Sequence, residues 1–201
     1  MPERTQTLSF LAGLALILFG LAAYLSVSRA NGAFNHGVRQ GIHAWASPAL
    51  TWIMLRVTAL GTEPYLLPLA VLVVWWLAST GRRNEAVMFA IAVAGAELLF
   101  QTLKLIFRVP RPEPFFGLAT PLTYSFPSGH TLSCAVYFTR LAAALPPKLL
   151  IRLAAAALIL AIGLSRIYLG FHYPSDVLGG YAAAVVWLAA LEIVQRPRVR
   201  H

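Results

Sequence analysis

Six apolar runs, each of about 18 residues or more, dominate this 201-residue chain. A run of that length is what a helix needs to cross the hydrocarbon core of a bilayer. The runs cover roughly 8–27, 62–79, 85–107, 128–146, 149–168 and 175–194. Backbone polar groups in lipid must be satisfied within their own segment, so helix is the form such runs take. Hydrophobic residues make up 59% of the chain and charged residues 11%, against about a half and a quarter in soluble domains. The sequence therefore predicts an all-α integral membrane bundle of six transmembrane helices, forming a single domain over residues 1–201. The apolar core of the first run exceeds the roughly 7–15 residues of a signal peptide and is read as a helix.

Between the first two runs lies "GAFNHGVRQGIHAWASPALTWIMLRVTALG". It mixes Arg39, His43 and Arg56 with Trp45, Trp52 and Leu55, which suits interfacial helices with tryptophans at headgroup level. Cys134 is the one cysteine, which excludes an internal disulfide and a cysteine-built metal site. The formal charge of +9 would suggest nucleic acid in a soluble protein. Here the cations stand mostly at the ends of apolar runs, so anionic headgroups and topology account for them and no nucleic-acid partner is expected.

With the amino terminus inside, the inner segments hold Arg4, Arg82, Arg83, Lys148, Arg152, Arg196, Arg198 and Arg200. The outer segments hold Arg29, Arg39, Arg56, Lys104, Arg108, Arg111 and Arg166. Eight against seven favours both termini in the cytoplasm, more clearly if some outer cations have a chemical task.

Three polar clusters interrupt the apolar pattern: Lys104, six residues, then Arg111-Pro112; next Pro127-Ser128-Gly129-His130; and last Ser165-Arg166, His172 and Asp176. In a six-helix arrangement all three fall on the outer face, across a motif region of 104–176. Pro127 suits the first position of a helix. The amides of Ser128, Gly129 and His130 would then lack intrahelical partners and face an anion at the positive end of the macrodipole. Gly129 would let a ligand approach the backbone, and the Ser128 hydroxyl adds a donor. Lys104, Arg111 and Arg166 would surround a phosphate with a point charge and two planar forks.

His172 and Asp176 are four residues apart, so the carboxylate can fix the imidazole tautomer and leave the other ring nitrogen free to attack phosphorus. His130 remains as the acid that protonates the leaving oxygen. Charge on the transition state would be met by cations and amides. This reading needs no metal and no cofactor, and the carboxylates are too few for a two-metal site.

The three clusters, at these spacings, match the signature of the type 2 phosphatidic acid phosphatase superfamily, which also contains vanadium haloperoxidases and acid phosphatases. The match has no departures. The resemblance implies His172 as nucleophile, Asp176 as its partner and His130 as acid, with Lys104, Arg111, Ser128, Gly129 and Arg166 binding phosphate. It also implies metal-independent hydrolysis of lipid phosphates or diphosphates. Among members of the superfamily, size and helix pattern are similar to bacterial phosphatidylglycerophosphate phosphatases and undecaprenyl-diphosphate phosphatases.

Other polar residues carry weaker signals. Glu97, Gln101 and Lys104 share one face of the third helix, so Glu97 and Gln101 are candidates for the pocket or for a helix–helix hydrogen bond. Arg108 reads as an interfacial snorkelling residue, and Glu63 as a helix start. The expected substrate is a phospholipid or polyprenyl phosphate such as undecaprenyl diphosphate, phosphatidylglycerophosphate or phosphatidic acid. The expected setting is a bacterial cytoplasmic membrane with the site facing outward; the sequence does not state the oligomeric state. A lipid phosphotransferase would use the same residues with another acceptor. A non-catalytic lipid transporter would need repeats and paired broken helices, which the sequence lacks.

Overall fold

The computed structural model describes residues 2–28 and 32–195, and every regular element among them is helical. The elements are α1 (Pro2–Val27), α2 (Gly32–His43), α3 (Pro48–Ala59), α4 (Glu63–Ser79), α5 (Arg83–Phe107), α6 (Gly129–Ala144), α7 (Leu149–Tyr168) and α8 (Pro174–Val194). Arg29, Arg196, Arg198 and Arg200 lie outside the described residues, as does the side chain of Arg4.

Four helices are each long and apolar enough to cross a membrane: α1 over Thr5–Val27, α5, α7 and α8. Helices α3 and α4 qualify together as a pair bent by 45°, which brings the number to five. The expectation of six runs ahead of this at α6. That helix has 16 residues, about 24 Å at 1.5 Å per residue, short of a hydrocarbon core of about 30 Å. The apolar run of 128–146 is trimmed at both ends. Ser128 is spent as the N-cap, and the extended Leu145 precedes Pro146 and Pro147, where a helix cannot continue. The segment between the first two runs, expected to be helical, forms α2 and α3. Ser47 starts α3 by accepting the Leu50 amide at 3.2 Å, with Pro48 in the first turn.

Helix α6 is central and packs against α5, α7 and α8. Leu132, Cys134, Val136 and Tyr137 on it are wholly buried. Its neighbours meet it through small side chains, Ala92 and Ala96 on α5 and Ala183 and Ala184 on α8. Small residues let helix backbones approach where the hydrophobic effect offers no drive, as in a membrane. The outer faces of α1 and α4 expose Phe10, Ile17, Leu67 and Leu72. Apolar exposure on this scale marks a surface that meets lipid rather than water.

Helix direction places the chemistry. Helices α5 and α7 finish at the end of the bundle where α6 and α8 begin, and the last turn of α1 reaches the same end. Lys104, Arg166, His130 and Asp176 therefore share it, as the sequence implied.

Candidate active site

A sharp reversal after α7 builds the first half of the site. Gly170 has φ +81°, and a Cβ there would meet the Phe115 backbone nitrogen at 2.7 Å, so only glycine suits both the conformation and the space. The chain then passes His172 and enters α8 at Pro174, which puts Asp176 in the first turn. Asp176 is fully buried. Its Oδ2 accepts from Ser125 Oγ at 2.5 Å, from the Tyr173 amide at 2.8 Å and from His172 Nδ1 at 3.3 Å. Its Oδ1 accepts from Ser26 Oγ at 2.8 Å. Four donors thus hold one carboxylate, which is how a buried charge is made tolerable.

The other ring nitrogen of His172 faces a cation. Arg111 Nη1 lies 3.1 Å from His172 Nε2. A guanidinium can only donate, so Nε2 carries a lone pair and the ring hydrogen is on Nδ1, toward Asp176. Burial holds the His172 pKa well below the usual imidazole range, and Arg111, Arg166 and Lys104 push it the same way. The ring is neutral, oriented and basic at the nitrogen that faces the cations.

Each cation is held by its own contacts with the fold. Arg111 donates through Nε to Thr123 O at 2.6 Å, through Nη2 to Thr123 Oγ1 at 2.9 Å and through Nη1 to Phe171 O at 2.9 Å. Burial lowers its pKa, with Asp176 opposing. Lys104 is buried and donates to the Tyr124 carbonyl. Arg166 donates to Thr58 Oγ1 at 2.8 Å, and its guanidinium lies over the Phe171 ring at 4.2 Å. Arg166 Nε and His130 Nε2 are buried and have no protein partner. Lys104, Arg111, Arg166 and His130 lie within electrostatic reach of one another. Two buried cations, Lys104 and Arg166, and the half-buried Arg111 face one carboxylate, an arrangement that is unfavourable by itself and favours an anion among them.

The start of α6 differs from the expectation. Pro127 is not the first helical residue; Ser128 is the N-cap and the helix opens at Gly129. The Ser128 amide donates to the Asp176 carbonyl at 3.0 Å, so it ties α6 to α8 and is not free for a ligand. Its hydroxyl accepts from Thr131 Oγ1 at 2.9 Å and from the Thr131 amide at 3.4 Å, which leaves its own proton to donate. The amides of Gly129 and His130 remain as first-turn donors. Gly129 is also small for a second reason: a Cβ there would meet the Phe100 ring at 2.9 Å.

The structure brings together His172, Asp176, His130, Lys104, Arg111, Ser128, Gly129 and Arg166, but not the two pocket candidates. Glu97 accepts from Gln101 at 3.0 Å, and Gln101 is exposed. They pair with each other along α5 while Lys104 turns inward. Arg108 caps α5 in the left-handed region at φ 49° and donates to Leu105 O at 2.9 Å.

Several contributors were not singled out from sequence. Ser125 sits two residues before Pro127, close enough to the second cluster to have been suspected. Ser26, Thr58 and Thr123 gave no signal, because a lone hydroxyl is ordinary in such segments. Arg39 of α2 lies over the Phe115 ring at 4.1 Å and donates to the Glu113 carbonyl, and His43 stacks on the same ring at 3.8 Å. Helix α2 therefore pins the loop that carries Arg111.

The PAP2 superfamily model matches residues 85–200. The chain is 29% identical over 147 residues to phosphatidylglycerophosphatase B of Bacillus subtilis, covering 69% of this chain and 72% of that protein. It is 28% identical over 163 residues to undecaprenyl-diphosphatase BcrC of the same organism, covering 76% and 79%. The fold is similar to the crystal structure of a transmembrane PAP2 type phosphatidylglycerolphosphate phosphatase from Bacillus subtilis. There the TM-score is 0.82 and the identity 24%, over 94% of this chain and 98% of that one. Because the family model spans more than half of the chain and the fold agrees over nearly all of it, this chain belongs to the PAP2 superfamily and is a membrane phosphatase of that family.

Proposed function

We propose that the protein removes a terminal phosphate from a membrane lipid phosphate or diphosphate through a phosphohistidine, without a metal ion. The observation that carries this is the double engagement of His172: Nδ1 on Asp176 at 3.3 Å and Nε2 facing Arg111 at 3.1 Å. The Nε2 lone pair attacks phosphorus as the bond to the leaving oxygen breaks. His130 delivers its proton to that oxygen, releasing a lipid alcohol or, from a diphosphate, a lipid monophosphate. Asp176 stabilises the positive charge that grows on the imidazole. Water then gives a proton to His130 and attacks the phosphohistidine; the N–P bond breaks, inorganic phosphate leaves and both histidines are restored. Lys104, Arg111, Arg166, the Ser128 hydroxyl and the first-turn amides of α6 meet the charge on the transition state.

The substrate classes we favour are phosphatidylglycerophosphate, undecaprenyl diphosphate and phosphatidic acid. The names of the relatives support the first two. We place the site on the outer face of a bacterial cytoplasmic membrane, with α6 completing a six-span bundle and both termini in the cytoplasm. The support is that Arg82, Arg83, Lys148 and Arg152 gather at the end opposite His172, where α5 and α7 begin.

The test is phosphate release by the full chain in detergent, using those three lipids and a soluble phosphate ester beside His172→Ala. Release lost by more than roughly 10³-fold in a variant that still melts cooperatively supports the covalent route. Undiminished release in the variant ends it. The rate order across the panel selects the substrate.

A further inference from the structure

Helix α1 lies wholly outside the segment matched by the family model, residues 85–200, yet its last turn touches the candidate machinery. We infer that Ser26 on α1 is a positioning residue for the His172–Asp176 pair, so that the amino-terminal helix completes the active site as well as crossing the membrane. This rests on the reading of His172 and Asp176 given above.

The two oxygens of Asp176 are not served alike. Oδ2 has three donors, Ser125 Oγ, the Tyr173 amide and His172 Nδ1. Among the described residues, Oδ1 takes its hydrogen bond from Ser26 at 2.8 Å. The three donors on Oδ2 resist rotation about the Cβ–Cγ bond from one side, and the Ser26 hydroxyl on Oδ1 adds a second point of attachment that sets the plane of the carboxylate. The plane of the carboxylate decides whether Oδ2 stays in line with His172 Nδ1, and so where Nε2 points.

Ser26 is itself held. Its hydroxyl proton goes to Asp176, so at 2.7 Å it accepts from Ser175 Oγ, one residue before Asp176 on α8. The buried Asn35 of α2 ties the two helices at the same level. Its Nδ2 donates to Leu25 O at 3.1 Å and its Oδ1 accepts the Ser175 amide at 3.2 Å. Three helices thus converge to place one hydroxyl on a carboxylate that is otherwise bound from one side.

The test is steady-state kinetics of the full chain in detergent for Ser26→Ala, Ser26→Thr, Asp176→Ala and the Ser26→Ala/Asp176→Ala pair. A hydrogen bond to a charged group predicts a fall in kcat of about tenfold or more for Ser26→Ala, with KM within about twofold, because the phosphate-binding cations are untouched. Ser26→Thr, which keeps the hydroxyl, restores kcat. In the Asp176→Ala background, Ser26→Ala changes kcat no further, since its effect passes through that carboxylate. Should Ser26→Ala fail to fold, Ser26→Cys supplies the same comparison with a side chain of similar size and a weak donor. Wild-type kcat in Ser26→Ala, with His172→Ala inactive, overturns the inference and spares the proposed function. Losses that multiply in the double variant also overturn it, by making Ser26 a packing residue. Full activity in His172→Ala would instead remove the reading on which it rests.

Discussion

Arg111 and His172 face each other at 3.1 Å, guanidinium Nη1 to imidazole Nε2, and the same guanidinium is pinned by Thr123 and by the Phe171 carbonyl. The fork is therefore in place before any substrate arrives. Arg111→Lys keeps the charge and loses the fork, since an ammonium is a point donor. One charge-assisted contact is worth about 1.5–3 kcal/mol, so kcat/KM should fall roughly 10- to 100-fold. Equal kcat/KM in the lysine variant would show that only charge matters there.

His130 is the titratable group on the other side. Its Nε2 is buried with no protein partner, which leaves it available for the proton transfer proposed above. His130→Ala should cost roughly 10²–10⁴-fold on a lipid alkoxide leaving group. The loss should shrink on an ester with a good leaving group, which departs without a proton. A uniform loss across leaving groups would assign His130 to phosphate binding instead of proton transfer.

The depressed pKa of His172 makes stability depend on pH. The unfolded chain takes a proton at this residue near an ordinary value of about 6.5, whereas burial and the three cations make the folded chain resist it. Below about pH 6.5 the unfolded state thus binds more protons, and stability falls as pH is lowered. The contribution is fully present above pH 6.5 and is lost progressively toward the folded value. Melting temperature measured from pH 7.5 to 5 should drop less steeply in His172→Gln than in the wild type. Parallel slopes would place the pH dependence elsewhere.

The positive charge around the proposed phosphate site comes from Lys104, Arg111 and Arg166, each anchored by the fold. Their combined field suits a transition state with charge on its equatorial oxygens. Phosphate release should therefore persist in excess chelator. Loss of activity that a divalent ion restores would show that these cations do not suffice.

What the sequence revealed and what it hid have a common cause. Charged residues are costly in an apolar chain, so Lys104, Arg111, Arg166, His172 and Asp176 stood out, and their spacing placed them at one end of the bundle. Hydroxyls are cheap in such helices. Ser26 and Thr58 gave no sign that their partners, Asp176 and Arg166, lie 150 and 108 residues away. The expected six spans exceed the four to five helices long enough to cross for a local reason: hydropathy counts Ser128, Leu145 and Pro146 as apolar span, while capping and proline geometry exclude them from α6. Glu97 misled because periodicity puts it on the face of Lys104, whereas a long lysine reaches the site from a position where Gln101 stays exposed.

Gly129 offers the clearest separation of ligand approach from packing. The sequence suggested that its lack of a side chain serves the phosphate, but the structure adds a neighbour: a Cβ would lie 2.9 Å from the Phe100 ring of α5. Two opposing terms act on Gly129→Ala. Relief of backbone entropy at a helical position is worth at most about 0.5–1 kcal/mol. Overpacking at a tight contact costs about 1–3 kcal/mol, so the variant should melt lower than the wild type. Shrinking the ring side, as in Gly129→Ala with Phe100→Leu, should recover much of the stability, because the clash is with that ring alone among the nearest atoms. Activity then decides the remaining question. A restored melting temperature with restored turnover makes Gly129 a packing residue. A restored melting temperature with turnover still low means that the added methyl blocks the phosphate at the α6 terminus, where the Gly129 and His130 amides point.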